Sequence, residues 1–153
     1  MQKLIAALAE KGMTLSTCES FTGGLFSSKL TTVSGASAVY IGSIVAYSIL
    51  AKLDVVHVDP QIIERYGTIS PQAVIEMAEK TRTLFKTDFA ISFSGNAGPL
   101  ALENKPVGLW YGAIASSQET VVFGGIANLK RNELREAACS EGIKNLLELI
   151  RKV

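Results

Sequence analysis

Apolar positions recur with two alternating spacings, and their order predicts helices interleaved with strands. Leu4, Ile5, Leu8 and Ala9 share one face of Gln2–Lys11, a short helix closed by Gly12. Met13–Cys18 follows as a strand. Ala38–Ala46, rich in Val and Ile and too short for a helix, reads as a buried strand. Asp59-Pro60 and Ser70-Pro71 each put a capping side chain before a proline at the first helical position. They start one helix that runs to Tyr66, stopped by Gly67, and a longer one over Pro71–Lys86. Val74, Met77, Ala78, Thr81, Leu84 and Phe85 fall on one face of the longer helix, so it covers a sheet. Asp88–Ser94 is a further strand. Val107–Ala115 and Thr120–Phe123, joined by Ser116-Ser117-Gln118, read as a hairpin that adds antiparallel pairing. Asn128 caps a last helix to about Lys152, with Ile143, Leu146, Leu147 and Ile150 on its buried face. The alternation predicts one α/β domain over residues 1–153, with helices on both faces of a mixed sheet.

Composition narrows the function classes. Fifteen Lys and Arg against 14 Asp and Glu leave a net charge of +1, without the basic excess of a nucleic-acid binder. No apolar run reaches the roughly 20 residues of a membrane span. Met1–Gly12 reads as an amphipathic helix rather than a signal peptide. Cys18 and Cys139 form no CxxC, which suits a reducing cytoplasm. His57 is the single histidine, so a histidine-rich metal site is excluded and a Ser-His-Asp triad would rest on that residue. It lies in the alternating stretch Val55–Val58 and reads as structural or solvated.

Four places carry candidate chemistry. In Glu19–Leu30, Ser20 or Thr22 caps a helix whose first turn holds Gly23 and Gly24. Each glycine costs a helix interior about 1 kcal/mol relative to Ala, so something approaches the backbone closely, either a ligand or a packed element. A hydroxyl- and glycine-rich helix start is also an anion site. Ser94, Gly95 and Asn96 open a glycine loop at a strand end, where open α/β sheets bind ligands, although an ordinary turn has the same composition. Lys130 and Arg131 in the first turn of the last helix oppose its dipole. A bound phosphate would reverse that sign, and a solvated pair with Glu133 is the alternative. Finally, Ser37 precedes the Ala38–Ala46 strand while Tyr47 and Lys52 follow it. A strand of that length separates its ends by roughly 30 Å. Ser37 and Lys52 therefore meet only if the chain folds back or if one comes from a neighbouring subunit. Without that meeting, Ser37 caps a turn, Tyr47 packs and Lys52 is solvated.

STCESFTGG, SGASAVYIGSIVAYS with Lys52, GTIS at Gly67–Ser70, SGNAGP and NKPVG at Asn104–Gly108 occur in order with compatible spacing. Together they resemble the C-terminal domain of the competence- and damage-inducible protein CinA, also found alone as nicotinamide mononucleotide deamidase. The resemblance spans nearly the whole chain. It implies a three-layer α/β/α sandwich with a mixed, mainly parallel sheet. It also implies an amidohydrolase that converts nicotinamide mononucleotide to nicotinate mononucleotide and ammonia, without metal or organic cofactor. The family's reactive serine falls on Ser37, its tyrosine on Tyr47 and its lysine on Lys52. Substrate-binding positions fall on Ser20, Gly23, Gly24, Ser94, Gly95, Asn96 and Arg131. The partners expected are a small nucleotide and further copies of the chain in a homo-oligomer, with neither nucleic acid nor membrane.

Three departures from the family pattern stand out. YSNEAK reads YSILAK, so Ile49 and Leu50 replace an amide and a carboxylate. Asn96 replaces an isoleucine. Leu100-Ala101-Leu102 replaces a glycine run. They leave open a second reading, a catalytically silent nucleotide-binding or interaction protein of the same fold.

On the enzymatic reading Ser37 attacks and Lys52 acts as base, with Tyr47 hydrogen-bonded within the pair. Ser94 and loop amides receive the carboxamide oxygen, and Arg131 or the Ser20–Gly24 helix end holds the phosphate. Lowering an amine pKa from about 10.4 to about 7–8 takes roughly 3–5 kcal/mol, and burial beside Ile49 and Leu50 acts in that direction. A short-chain dehydrogenase pairing does not fit, because Tyr47 and Lys52 stand five apart and no GxxxGxG follows the first strand. Nor does Ser37 open an SxxK.

Overall fold

The computed structural model describes residues 1–153. Its strands are β1 (Leu15–Glu19), β2 (Tyr40–Val45), β3 (Phe89–Gly95), β4 (Leu109–Ala115) and β5 (Thr120–Ile126), in the spatial order β2-β1-β3-β4-β5. β2, β1 and β3 run parallel, and β4 and β5 add the expected antiparallel hairpin. Helices α1 (Gln2–Glu10), α2 (Leu25–Thr31) and α5 (Arg131–Lys152) cover one face, while α3 (Pro60–Tyr66) and α4 (Pro71–Phe85) lie on the other. The result is an α/β/α sandwich on a mixed sheet, parallel from the β2 edge to β3 and antiparallel beyond it. No helix is long and apolar enough to cross a membrane.

The larger core lies under α1, α2 and α5, where Phe26, Phe93, Trp110 and Phe123 meet in tilted and edge-on contacts at 5.3–6.2 Å. α5 approaches so closely that a Cβ at Gly142 would lie 2.8 Å from both Ile91 and Phe93. Its buried face includes Leu146 and Ile150 as expected, with Ile143 and Leu147 packed at the margin. On α4 the expected stripe holds through Thr81, but Leu84 in the last turn is exposed.

Three element boundaries differ from the sequence expectation. Neither Ser20 nor Thr22 caps α2. The cap position is Gly24, with φ +90°, and the buried Glu19 carboxylate accepts the N–H groups of Gly24, Phe26 and Ser27. α5 begins at Arg131 rather than after Asn128, because Lys130 is extended and its N–H donates to the Glu133 carboxylate at 3.0 Å. Ala38 belongs to a 3₁₀ turn, Ala36–Ala38, so β2 starts only at Tyr40.

Candidate active site

The C-terminal ends of the parallel strands converge on one cleft, the position the topology favours. Past β2 the chain turns through Tyr47 and Ser48, whose hydroxyl accepts the Ala51 N–H at 3.1 Å. It then winds a single π turn, Ala51–Val55, closed by the Val56 N–H on the Ala51 carbonyl. Such wide turns insert a residue into a helical path and often carry functional side chains. Here the turn swings Lys52 inward until it is 1% exposed. Its Nζ donates to the Ala46 carbonyl at 2.7 Å and to Ser20 Oγ at 2.9 Å. Burial lowers the Lys52 pKa below its ordinary 10.5, against a smaller upward pull from Cys18 and Glu103. Val56, Val58, Met77 and Cys18 form the apolar cluster on this side of the sheet, whereas Leu50 is exposed and Ile49 is half-exposed at the border of the cleft. The departure at residues 49 and 50 is therefore not what buries the amine. Burial pushes the Cys18 thiol up to about 12, so it stays protonated and unreactive.

The facing wall comes from the loop after β3. Ser94, 1% exposed, donates through Oγ to the Thr68 carbonyl at 2.6 Å. The buried Asn96 side chain accepts the Gly98 N–H and donates to the Lys105 carbonyl, so it shapes the loop. The Ala97 N–H has no acceptor within the chain, and Ala97 borders the cleft. Arg131 donates to the Gly98 carbonyl, which ties the start of α5 to the same loop. Behind it, Glu103 accepts from the Thr68 hydroxyl, the Thr68 N–H and the Ile69 N–H. Lys105 Nζ donates to the Tyr66 and Ile69 carbonyls at 2.6 and 2.8 Å and to Glu103 at 3.1 Å. Burial pushes the Glu103 carboxyl upward, but the Thr68, Lys105 and Ile69 bonds outweigh it and hold the carboxyl below the usual range. Gly67, at φ +77°, must lack a side chain, since a Cβ there would collide with the Glu103 carboxylate.

The cleft encloses about 140 Å³. Ser20, Tyr47, Lys52, Ser94, Gly95, Asn96 and Arg131 all line it. No His, Cys, Asp or Glu does, so the wall offers no common metal ligand set.

Two expectations are corrected. Ser37 is exposed in the 3₁₀ turn before β2, at the opposite end of that strand from Lys52, and the hydroxyl on the amine within one chain is Ser20. A six-residue strand lies between them with no return, and Tyr47, 64% exposed, makes no hydrogen bond to either. Gly23 and Gly24 lie outside the cleft, and the Gly24, Phe26 and Ser27 N–H groups at the start of α2 are already taken by Glu19. Neither alternative explains these glycines: a Cβ would meet only ordinary contacts at 3.7 Å, with Arg135 at Gly23 and Val45 at Gly24, and it is the positive φ of both, +58° and +90°, that favours glycine. The sequence reading also gave no role to Thr68, Ala97, Glu103 or Lys105. GTIS and NKPVG marked the neighbourhood, but only the fold joins them across more than thirty residues.

The fold and cleft define an α/β domain with a buried lysine and serine at the carboxyl ends of its parallel strands. The family model for the CinA C-terminal domain matches residues 1–150, and the chain belongs to that family. It is 38% identical over 146 residues to a competence-damage inducible protein of Listeria monocytogenes, covering 95% of this chain and 35% of that one. It is 39% identical over 150 residues to a CinA-like protein of Pseudothermotoga lettingae, covering 97% and 37%. The chain thus spans little more than a third of the curated relatives it matches. Among solved structures, a CinA superfamily protein from Klebsiella pneumoniae superposes with a TM-score of 0.95 at 26% identity, over 99% of this chain and 96% of that one. A competence or damage-inducible protein from Enterobacter asburiae gives 0.93 at 30% identity, over 97% and 94%.

Proposed function

We propose that the chain is an amidohydrolase acting on the carboxamide of a phosphorylated pyridine nucleotide, nicotinamide mononucleotide being the substrate implied by the family resemblance. The observation that carries this reading is the buried Lys52 amine, lowered in pKa and fixed by two acceptors. A neutral amine has two N–H bonds and one lone pair. With Ala46 O and Ser20 Oγ receiving the N–H bonds, the lone pair remains to take a proton. In the reaction the Ser20 hydroxyl, which lies 2.9 Å from the amine, turns its proton toward that lone pair, adds to the carboxamide carbon and passes the proton to Lys52. The oxygen charge that develops needs a donor, and the unpaired Ala97 N–H supplies one. The Lys52 ammonium then protonates the departing nitrogen, which leaves as ammonia. Water repeats the sequence on the acyl-enzyme and frees the carboxylate. Arg131 has donors beyond the one on Gly98 and serves the phosphate.

Purified protein given nicotinamide mononucleotide should release ammonia in equal amount to nicotinate mononucleotide. The riboside without phosphate should be turned over more slowly, and Arg131→Ala should erase the difference. Binding of the nucleotide with no ammonia released would instead favour the silent binding protein.

A further inference from the structure

We infer that the cleft continues into a second subsite that takes the distal half of a pyridine dinucleotide, so that this chain hydrolyses a carboxamide nucleotide extended through its phosphate; this rests on the amidohydrolase reading. Beside the cleft lies a recess of about 320 Å³, walled by Val107, Leu129 and Lys130. It shares Ala97, Gly98 and Arg131 with the cleft, so the two spaces meet at one loop peptide and one guanidinium. The cleft alone, at about 140 Å³, falls short of the roughly 300 Å³ at which ligand pockets begin. The recess supplies the missing room on the side where Arg131 receives the phosphate.

The charge of the recess is one-sided. Arg131 stands at the junction, Lys130 stands beyond it, and no carboxylate lines either space. Two cations in the first turn of α5 oppose its dipole, and an ion pair with Glu133 would answer them. The structure shows no such pair. The Glu133 carboxylate accepts the Lys130 N–H at 3.0 Å, and neither Lys130 nor Arg131 forms an ion pair with any acidic side chain. Beside these unanswered cations, Val107 and Leu129 are 40% and 41% exposed. Apolar walls with a few charged groups are what a nucleoside carried on phosphate requires. A mononucleotide ends at Arg131 and leaves Lys130, Val107 and Leu129 without a partner. A dinucleotide places its first phosphate on Arg131, its second on Lys130 and its second nucleoside against Val107 and Leu129. The reaction is the same for both: water replaces the carboxamide nitrogen, ammonia leaves, and the diphosphate link stays intact.

The test compares ammonia release from nicotinamide mononucleotide and from nicotinamide adenine dinucleotide by the purified protein. In wild type, kcat/KM for the dinucleotide should equal or exceed that for the mononucleotide, and a lower value would overturn the inference. Lys130→Ala and Leu129→Glu change exposed side chains, so both variants should fold. Each should lower the ratio of dinucleotide to mononucleotide kcat/KM by roughly tenfold, the scale of one lost contact to a charged group. Lys130→Arg should keep the wild-type ratio. A ratio unchanged in both Lys130→Ala and Leu129→Glu would also overturn the inference. If wild type releases no ammonia from either compound, the amidohydrolase reading falls, and binding measured by calorimetry decides the subsite. The dinucleotide should then bind more tightly than the mononucleotide in wild type and lose that advantage in Lys130→Ala, whereas equal affinities in wild type would overturn the subsite as well.

Discussion

The two walls of the cleft are built in opposite ways. On the β3 side, Ser94 is tied to Thr68, Glu103 to Thr68 and Ile69, Lys105 to Tyr66 and Ile69, and Asn96 to Gly98 and Lys105. Each loop is thus pinned to another at several points. On the β2 side, one buried amine holds two acceptors while Tyr47, Ile49 and Leu50 stand bare. A wall saturated with hydrogen bonds is rigid in the isolated chain. One with few ties between its side chains has more freedom to adjust to a ligand. On the amidohydrolase reading proposed above, the reacting amine sits on the β2 wall and the groups that orient a substrate sit on the β3 wall.

The comparison breaks most sharply at Lys52. Lys52→Met should cut turnover by about 10²–10⁴, the usual contribution of a positioned proton acceptor. In wild type the rate should climb with pH to a plateau whose midpoint lies below 10.5, since only the neutral amine accepts a proton. The same shift has a stability consequence. Between the lowered folded-state pKa and the ordinary value, the unfolded chain holds more protons than the folded one, so stability rises with pH across that window. Denaturant midpoints measured along the pH axis should show this rise in wild type and lose it in Lys52→Met.

Glu103 tests the other wall. Glu103→Ala leaves the Thr68 hydroxyl, two backbone N–H groups and Lys105 without their acceptor. A loss of about 1–2 kcal/mol is expected, with much of the residue solvent-facing. Because the folded-state pKa is depressed, the stabilisation is present above the ordinary carboxylate pKa and lost as pH falls through the lower folded value. Acid denaturation of Glu103→Gln should accordingly lack part of the wild-type slope. Turnover should fall through KM more than kcat, because the damaged wall orients and does not react.

These two residues also mark what the sequence could and could not disclose. Alternation of apolar spacing exposed every strand and long helix, because that period is imposed by burial within one element. Lys52 was legible from the motif around it, yet its true neighbour Ser20 was not, since 32 residues separate them and only β1 lying beside β2 joins the two turns. Ser37 stood as the companion because the family resemblance put the reactive serine there, and the strand already expected between it and Lys52 keeps the two apart within one chain. The Glu19 cap misled in a similar way. A glycine-rich helix start implies free N–H groups, but a carboxylate buried one turn upstream had already filled them. Glu103 and Lys105 were invisible as a pair with Gly67–Ser70, because a loop-to-loop clamp has no period to detect.

A more modest effect is expected at Ser94. Ser94→Ala removes a buried bond to the Thr68 carbonyl, worth about 0.5–1.5 kcal/mol, and should raise KM a few fold with kcat less affected. If kcat collapses while KM holds, Ser94 belongs with the reacting groups and the division between the walls fails.

The smallest effects should fall on two half-exposed apolar side chains that border the cleft on its two walls. Ile49 and Leu102 are 50% and 54% exposed, so replacing either should change stability by less than about 0.5 kcal/mol. Leu102 belongs to the wall that orients a substrate on the proposed reading, and Leu102→Gly should alter KM by less than about threefold with kcat unchanged. Ile49 lies on the same wall as the Lys52 amine, and Ile49→Asn should move kcat more than KM. Initial rates across a range of nucleotide concentrations separate the two cases. Equal shifts in KM for both variants would mean that the two walls do not divide the work.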